Sequence, residues 1–332
     1  MIDIFVYQVS AIMKLWHLIL HSFLGDQTAW LVSIPLLVLT VRSLIWPLNW
    51  SAIRSGRRSA LMRPELAALN AELAQATTTA DIAAHKAKVK EVHERYHYRP
   101  VAGCLIPFIM VPVFIGLYQV ILRMARPSFT GAIGLISADE VEDFRSTTLA
   151  GVPLPAYVSM PESWATQYGV TGGEVRHLIM PLLLAALAAT FINMCISCYR
   201  GFLTTQFDKT MPRRMLYVLA FFAVLTPYLL WNAAIHGPVP VAVILYWFTS
   251  NLYTLTQTLV NETLLRRRYP LSDAAHAARR ESWQRHRASR KIPRAERRAQ
   301  KKAAKAEAKR VAELRAQLLR EEREAKKSGE ES

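Results

Sequence analysis

Arg42 is the single charge in an apolar run, AWLVSIPLLVLTVRSLIWPL, from Ala29 to Leu48. At ~1.5 Å per helical residue it lies roughly 20 Å from one end of that run and about 9 Å from the other. A guanidinium in such surroundings attracts carboxylates, and a low dielectric amplifies the attraction. Two placements are open. Arg42 can snorkel to the nearer membrane interface, or it can face a wet cavity within the bilayer, where intramembrane charges mark function. Pro35 and Pro47 leave the carbonyls of Leu31 and Ser43 without helical donors. An interrupted backbone beside a charge fits a water-filled site better than a lipid-facing one.

Three other spacings could carry chemistry. His93-Glu94-Arg95-Tyr96-His97 spells HExxH, the pattern of a zinc protease with Glu as general base. It lies in a charged segment, Arg95 would set a cation beside the metal, and no third ligand is evident. Cys195 and Cys198 form a CxxC in an apolar segment. They read as small packing residues, because that end of the segment is expected to face the reducing cytoplasm. No GxxxxGK[ST] is present, so no loop for cradling ATP phosphates is visible.

Composition and charge place these residues in a membrane protein. The chain has 332 residues, 52% hydrophobic, with net charge +16, and its apolar and charged runs are segregated. The N-terminus shows no basic segment with a small-residue cleavage site and no cysteine to carry a lipid, so a retained start is expected.

In chain order, residues 1–25 read as an amphipathic helix in the membrane interface, with Lys14, His17 and His21 on one face. Transmembrane helix 1 is expected over 29–48. A helical hairpin over 51–99 carries nine Lys and Arg against five acids, which places it in the cytoplasm. Thr77-Thr78-Thr79 marks its tip, with Asp81 as N-cap of the second arm. Transmembrane helix 2 is expected over 100–123, an extracytoplasmic loop poor in basic residues over 127–176, and further spans over 177–199, 215–235 and 240–262. The last span carries Thr249, Ser250, Asn251, Thr254 and Gln257.

Residues 266–332 form a basic cytoplasmic tail with 22 Lys and Arg against 10 Asp and Glu. Beyond Pro293 transient helix is expected and a packed core is not. The tail reads as a solvated end, a patch for anionic lipids or an RNA-binding arm. The fold class is therefore an all-α integral membrane protein with five transmembrane helices and a cytoplasmic helical hairpin. A start outside and an end inside satisfy every loop charge.

The layout resembles the YidC/Oxa/Alb family of membrane protein insertases over roughly residues 5–265. The carriers are Arg42 with Pro47; Met62-Arg63-Pro64-Glu65-Leu66; Pro100, Gly103-Cys104-Leu105 and Pro112-Val113-Phe114-Ile115-Gly116-Leu117-Tyr118; and Leu245-Tyr246-Trp247 followed by Ser250-Asn251 and Gln257. Met110 stands where the family usually has Gln, Pro107 stands for a displaced proline, and Arg99 for a usual Asn. The short start resembles Gram-positive and actinobacterial forms.

The resemblance implies a hydrophilic groove open to cytoplasm and lipid, in which Arg42 attracts acidic residues of an incoming chain. Asn193, Thr249, Asn251 and Gln257 are candidates for the rest of the groove lining. Arg266, Arg267, Arg268, Lys301 and Lys302 are candidates for ribosome contact. Expected partners are nascent membrane proteins, the ribosome and anionic lipids, with the general secretion translocon a further candidate. No enzymatic activity, cofactor, metal or small-molecule substrate is expected, and the location is the cell membrane. A zinc metalloprotease on the HERYH segment and a solute transporter remain the alternatives, although no internal repeat of the kind found in many transporters is evident.

Overall fold

The computed structural model describes residues 2–98, 115–126, 129, 131–293 and much of 296–320. The protein is all-α apart from one short strand pair among the described residues. The helices are α1 (Ile2–Leu24), α2 (Asp26–Ala74), α3 (Thr79–Arg95), α4 (Ile115–Ala125), α5 (Ala138–Ser146), α6 (Glu162–Tyr168), α7 (Gly172–Thr204), α8 (Thr210–His236), α9 (Val241–Arg268) and α10 (Asp273–Lys291). Strands β1 (Thr148–Leu149) and β2 (Val152–Pro153) pair antiparallel between α5 and α6. The chain divides into two compact units.

The first unit comprises 1–52, 102–200 and 217–263. Its core joins α1, α2, α4, α5, α7 and α9 through Met13, Trp30, Ile34, Leu37, Ile121, Phe144, Ile179, Leu183 and Tyr246. Helices α2, α7 and α8 are each long and apolar enough to cross a membrane. Helix α9 has 28 residues, length enough to span, but hydroxyl and amide side chains lower its hydropathy. Most of the expected second span, including Cys104, Pro107 and Met110, lies outside the described residues, as does Arg99 at the end of the hairpin.

Large apolar side chains on these helices face outward. On α8 Met215, Phe221, Val224 and Tyr228 are all more than half exposed, and its buried residues are Ala223 and Ala234. Such a surface is stable only against lipid. On α1 Leu15, Leu18, Ile19 and Phe23 form an exposed apolar stripe, while Lys14 and His17 turn inward and His21 stays exposed. Lys14 Nζ donates to Glu140 at 2.9 Å, and His17 is buried.

The second unit comprises 53–101, 201–216 and 264–332. Its hairpin is antiparallel: Arg58 reaches the carbonyl of His97 at 2.8 Å, Arg95 reaches Glu65 at 2.6 Å, and Lys88 reaches Glu72 at 2.8 Å. The first arm is the continuation of α2, which runs unbroken through Pro35, Pro47 and Pro64. Each proline removes one backbone bond, whereas a true break would strand several.

The N-cap of the second arm is Thr78, three residues before the expected Asp81. The Thr78 hydroxyl accepts from the Asp81 amide, and the Asp81 carboxylate accepts from the Thr77 and Thr78 amides. Asp81 thus closes a capping box from the N3 position.

The tail begins with a formed and docked helix. Ser272 caps α10, Ser282 Oγ accepts from the Phe207 amide at 3.2 Å, and Trp283 meets the Phe207 ring edge-on at 4.8 Å. Beyond Pro293, Val311, Leu314 and Leu318 pack on Leu73, Ala76 and Ile82. That contact differs from the expectation of an unpacked end. Its cause is an i, i+3, i+7 apolar stripe hidden in a charged composition.

Candidate functional site

Helices α2 and α9 lie side by side, and the bonds between them are polar. Arg42 donates from Nη2 to Ser250 Oγ at 2.7 Å. Ser43 Oγ and the Tyr253 hydroxyl are 3.1 Å apart. Asn49 Nδ2 lies 3.4 Å from Gln257 Oε1, and Trp46 Nε1 donates to Asn261 Oδ1 at 3.0 Å. From Arg42–Ser250 to Asn49–Gln257 both helices advance by seven residues, so the two run parallel. One stripe of α9 (Ser250, Tyr253, Gln257, Asn261) faces α2, as the 3.6-residue period requires.

A second stripe of α9, one residue out of phase, faces α7. Thr190 Oγ1 donates to Asn251 Oδ1 at 2.8 Å, and Thr258 Oγ1 donates to Asn193 Oδ1 at 2.5 Å. Helices α7 and α9 therefore also share direction. The three helices α2, α7 and α9 thus run in one direction.

Arg42 is half-buried, and among the described residues no carboxylate pairs with it. Its tether is the hydroxyl of Ser250, itself 4% exposed. A guanidinium carries five donors, so a site with one neutral acceptor keeps capacity for an anion. A standing ion pair would have consumed it.

Of the sequence candidates, Gln257 joins Arg42 on the α2-facing stripe. Asn251 falls on the α7-facing stripe and Asn193 lies opposite it on α7, and each accepts from a threonine. Thr249 bonds back to the Leu245 carbonyl at 3.0 Å within its own helix. Sequence reasoning did not assign Asn49, Trp46, Asn261, Thr190 or Thr258 to the site. Their signal on α9 was the seven-residue repeat Ser250–Gln257 and Asn251–Thr258. Their partners on α2 and α7 were not predictable from spacing.

Arg266, Arg267 and Arg268 are exposed in the last turn of α9, where cations also complement the helix dipole. Lys302 is exposed, and Lys301 lies outside the described residues.

The HERYH segment is not set up as a metal helix. Helix α3 ends at Arg95, Tyr96 is its C-cap, and His97 has φ 46°. His97 therefore leaves the face of His93, which packs on Tyr98 at 5.2 Å. Among the described residues no group of three or more His, Cys, Asp or Glu could hold a metal. Cys195 is exposed and Cys198 half-buried, both as free thiols.

An all-α membrane protein with a cationic, hydroxyl- and amide-lined seam between parallel helices is the class this geometry defines. The family model described as 60Kd inner membrane protein matches residues 19–268. The chain belongs to this family, the YidC/Oxa/Alb proteins. The membrane protein insertase YidC of Corynebacterium glutamicum is 38% identical over 281 residues, covering 82% of this chain and 67% of that one. Its counterpart in Corynebacterium efficiens is 36% identical over 328 residues, covering 96% and 83%. That of Mycobacterium leprae is 26% identical over 277 residues, covering 77% and 68%. The chain is accordingly a cell-membrane protein.

Proposed function

We propose that this chain inserts newly made membrane proteins into the bilayer and helps them fold, using the α2–α9 seam as a hydrophilic groove. The observation that carries the reading is Arg42, held by Ser250 in the otherwise apolar stretch 29–48 of α2 without a carboxylate partner among the described residues. Relatives named as membrane protein insertases support it.

A polar segment entering a bilayer faces an apolar core of ~30 Å. A wet groove reaching Arg42 shortens that path. The guanidinium attracts an acidic residue of the client, and neutral neighbours such as Ser250 and Gln257 let it leave again. The apolar part of the client then partitions into lipid. That step releases roughly 25 cal/mol per Å² of buried apolar surface and needs no nucleotide hydrolysis. The chain acts as an insertase and chaperone, with no covalent chemistry of its own.

The reading includes five spans, with residues 100–123 as the second and 240–262 as the fifth. The start lies outside, the hairpin and tail inside. The basic tail, from Arg266–Arg268 through Lys301 and Lys302, holds translating ribosomes and anionic headgroups near the membrane. The general secretion translocon is a candidate partner.

The test is insertion into proteoliposomes of a client with an acidic translocated tail. Arg42→Ala lowers its insertion by tenfold or more (~1.4 kcal/mol), whereas Arg42→Lys retains most of it. Wild-type rates for Arg42→Ala would remove the groove role from this residue.

A further inference from the structure

We propose that His17, His21 and Asp26 form a proton-sensitive clasp that holds the end of α1 against α2 and α5 and loosens as the surrounding solution becomes acidic. The cluster belongs to the first unit and lies apart from the α2–α9 seam.

His17 is 6% exposed and lies flat on Trp30, with ring centroids 3.8 Å apart and planes 13° off parallel. Trp30 in turn meets Phe144 of α5 edge-on at 6.0 Å. Among the described residues neither His17 ring nitrogen has a hydrogen-bond partner. Its Nε2 is 3.5 Å from Asp26 Oδ1, close enough for charge attraction but not a hydrogen bond. The same oxygen lies 2.9 Å from His21 Nε2. A buried polar group without partners is rare in folded proteins and calls for an explanation.

Proton access is built in. The side chains of His21 and Asp26 are 52% and 57% exposed, so the cluster has a wet mouth and a dry floor. Gly25 joins the two helices at φ 74°, and no atom would crowd a side chain there. The elbow has open space around its Cα and a backbone conformation that glycine adopts at no steric cost. Val6, Val9 and Met13 anchor the first half of α1 in the core. The movable part is therefore the stretch around His17 to Asp26.

The charged groups facing His17 come from three helices: His21 and Lys14 on α1, Asp26 on α2, and Glu140 and Asp143 on α5. Burial disfavours the imidazolium most strongly. Asp26 opposes that effect, His21 adds to it, and Glu140 and Asp143 oppose it. The net result holds His17 below its ordinary value of 6.5. Lys14 is engaged by Glu140 at 2.9 Å, which blunts that carboxylate.

The direction follows from linkage. A loosened α1 returns His17 to water and binds a proton more tightly than the clasped form does. The clasp is therefore favoured above the ordinary histidine range. It loses stability as pH falls from there toward the lowered value. With the start of the chain outside, as proposed above, the sensor would read the extracytoplasmic solution. The linkage itself does not depend on that orientation.

The experiment is amide hydrogen exchange of the full chain in nanodiscs, where one buffer bathes both faces. Exchange of residues 17–26 is compared at about pH 5.5 and about pH 7.5, either side of the ordinary histidine value, after correction for intrinsic rates. The expected result is several-fold faster exchange at the lower pH. His17→Phe, which keeps a ring on Trp30, abolishes the difference. Asp26→Asn enlarges it and His21→Gln shrinks it, because those neighbours act on His17 in opposite senses. Equal exchange in the wild type at both pH values, or an acid response that survives His17→Phe, would overturn the proposal. A response abolished by EDTA would also overturn it, by assigning the cluster to a cation.

Discussion

Ser250 sets how Arg42 is presented. Its hydroxyl takes one N–H of the guanidinium and carries no charge, so the arginine is oriented without being neutralised. Ser250→Ala should cost about 1.5–3 kcal/mol, the range for a hydrogen bond to a charged group. A lower thermal midpoint in detergent would read this loss. Client insertion should fall less than in Arg42→Ala, because the charge remains. Arg42 itself was evident from sequence, since one cation in an apolar run has no other reading than a special site or a snorkel. Its partner was not evident. Among the polar residues that α9 carries from Thr249 to Gln257, only the helical phase fixed against α2 separates Ser250 and Gln257 from Asn251. Asn261 shows the same limit. It is 1% exposed and accepts from Trp46, 215 residues away in the chain. Trp46→Phe keeps the volume but strands the Asn261 carbonyl, and a destabilisation of about 1–3 kcal/mol is expected by the same measurement.

Among the elements, the hairpin was the most readable, because leucine spacing, a polar tip and charge sign all agree on it. The capping residue was assigned to Asp81, yet Thr78 and Asp81 cap reciprocally. Both residue types are good N-caps, and only the backbone bonds separate N-cap from N3. Thr78→Ala should cost about 1 kcal/mol, seen as faster amide exchange in the first turn of α3. Amides of Thr77 and Thr78 hold the Asp81 carboxyl below its ordinary value of 3.8. A depressed carboxylate contributes its stability above that value and loses it as pH falls below. The protection of this turn should therefore weaken below about pH 4 in the wild type, but not in Asp81→Asn. The continuity of α2 through three prolines was the reverse case. The sequence puts breakers where the fold keeps a helix, since each proline forfeits one bond while flanking packing holds the rest.

For the whole molecule, charge segregation gave away the membrane class, but it concealed order within the basic tail. Helix α10 buries Phe207 and Ser282 to 2% exposure each, although its composition alone suggests a solvated arm. Deletions must respect that packing. Removing residues 294–332 leaves α10 in place and should weaken ribosome co-sedimentation, most visibly at moderate salt, as counterion release demands. Removing 271–332 uncovers Phe207 as well and should lower solubility in mild detergent.

Helix α8 has a consequence of its own. Among the described residues its enclosed side runs through Leu219, Ala223, Thr226, Leu230 and Ala234, at steps of three and four, while Phe221, Val224 and Tyr228 stand out from the other side. Substituting each position in turn with a small polar residue should therefore give a tolerance profile with a 3.6-residue rhythm, in which Ala223 and Ala234 are the least forgiving. The two fully enclosed members are alanines, so this side has little for a neighbour to interlock with, and a newcomer pressing past the helix meets a shallow groove rather than meshed side chains.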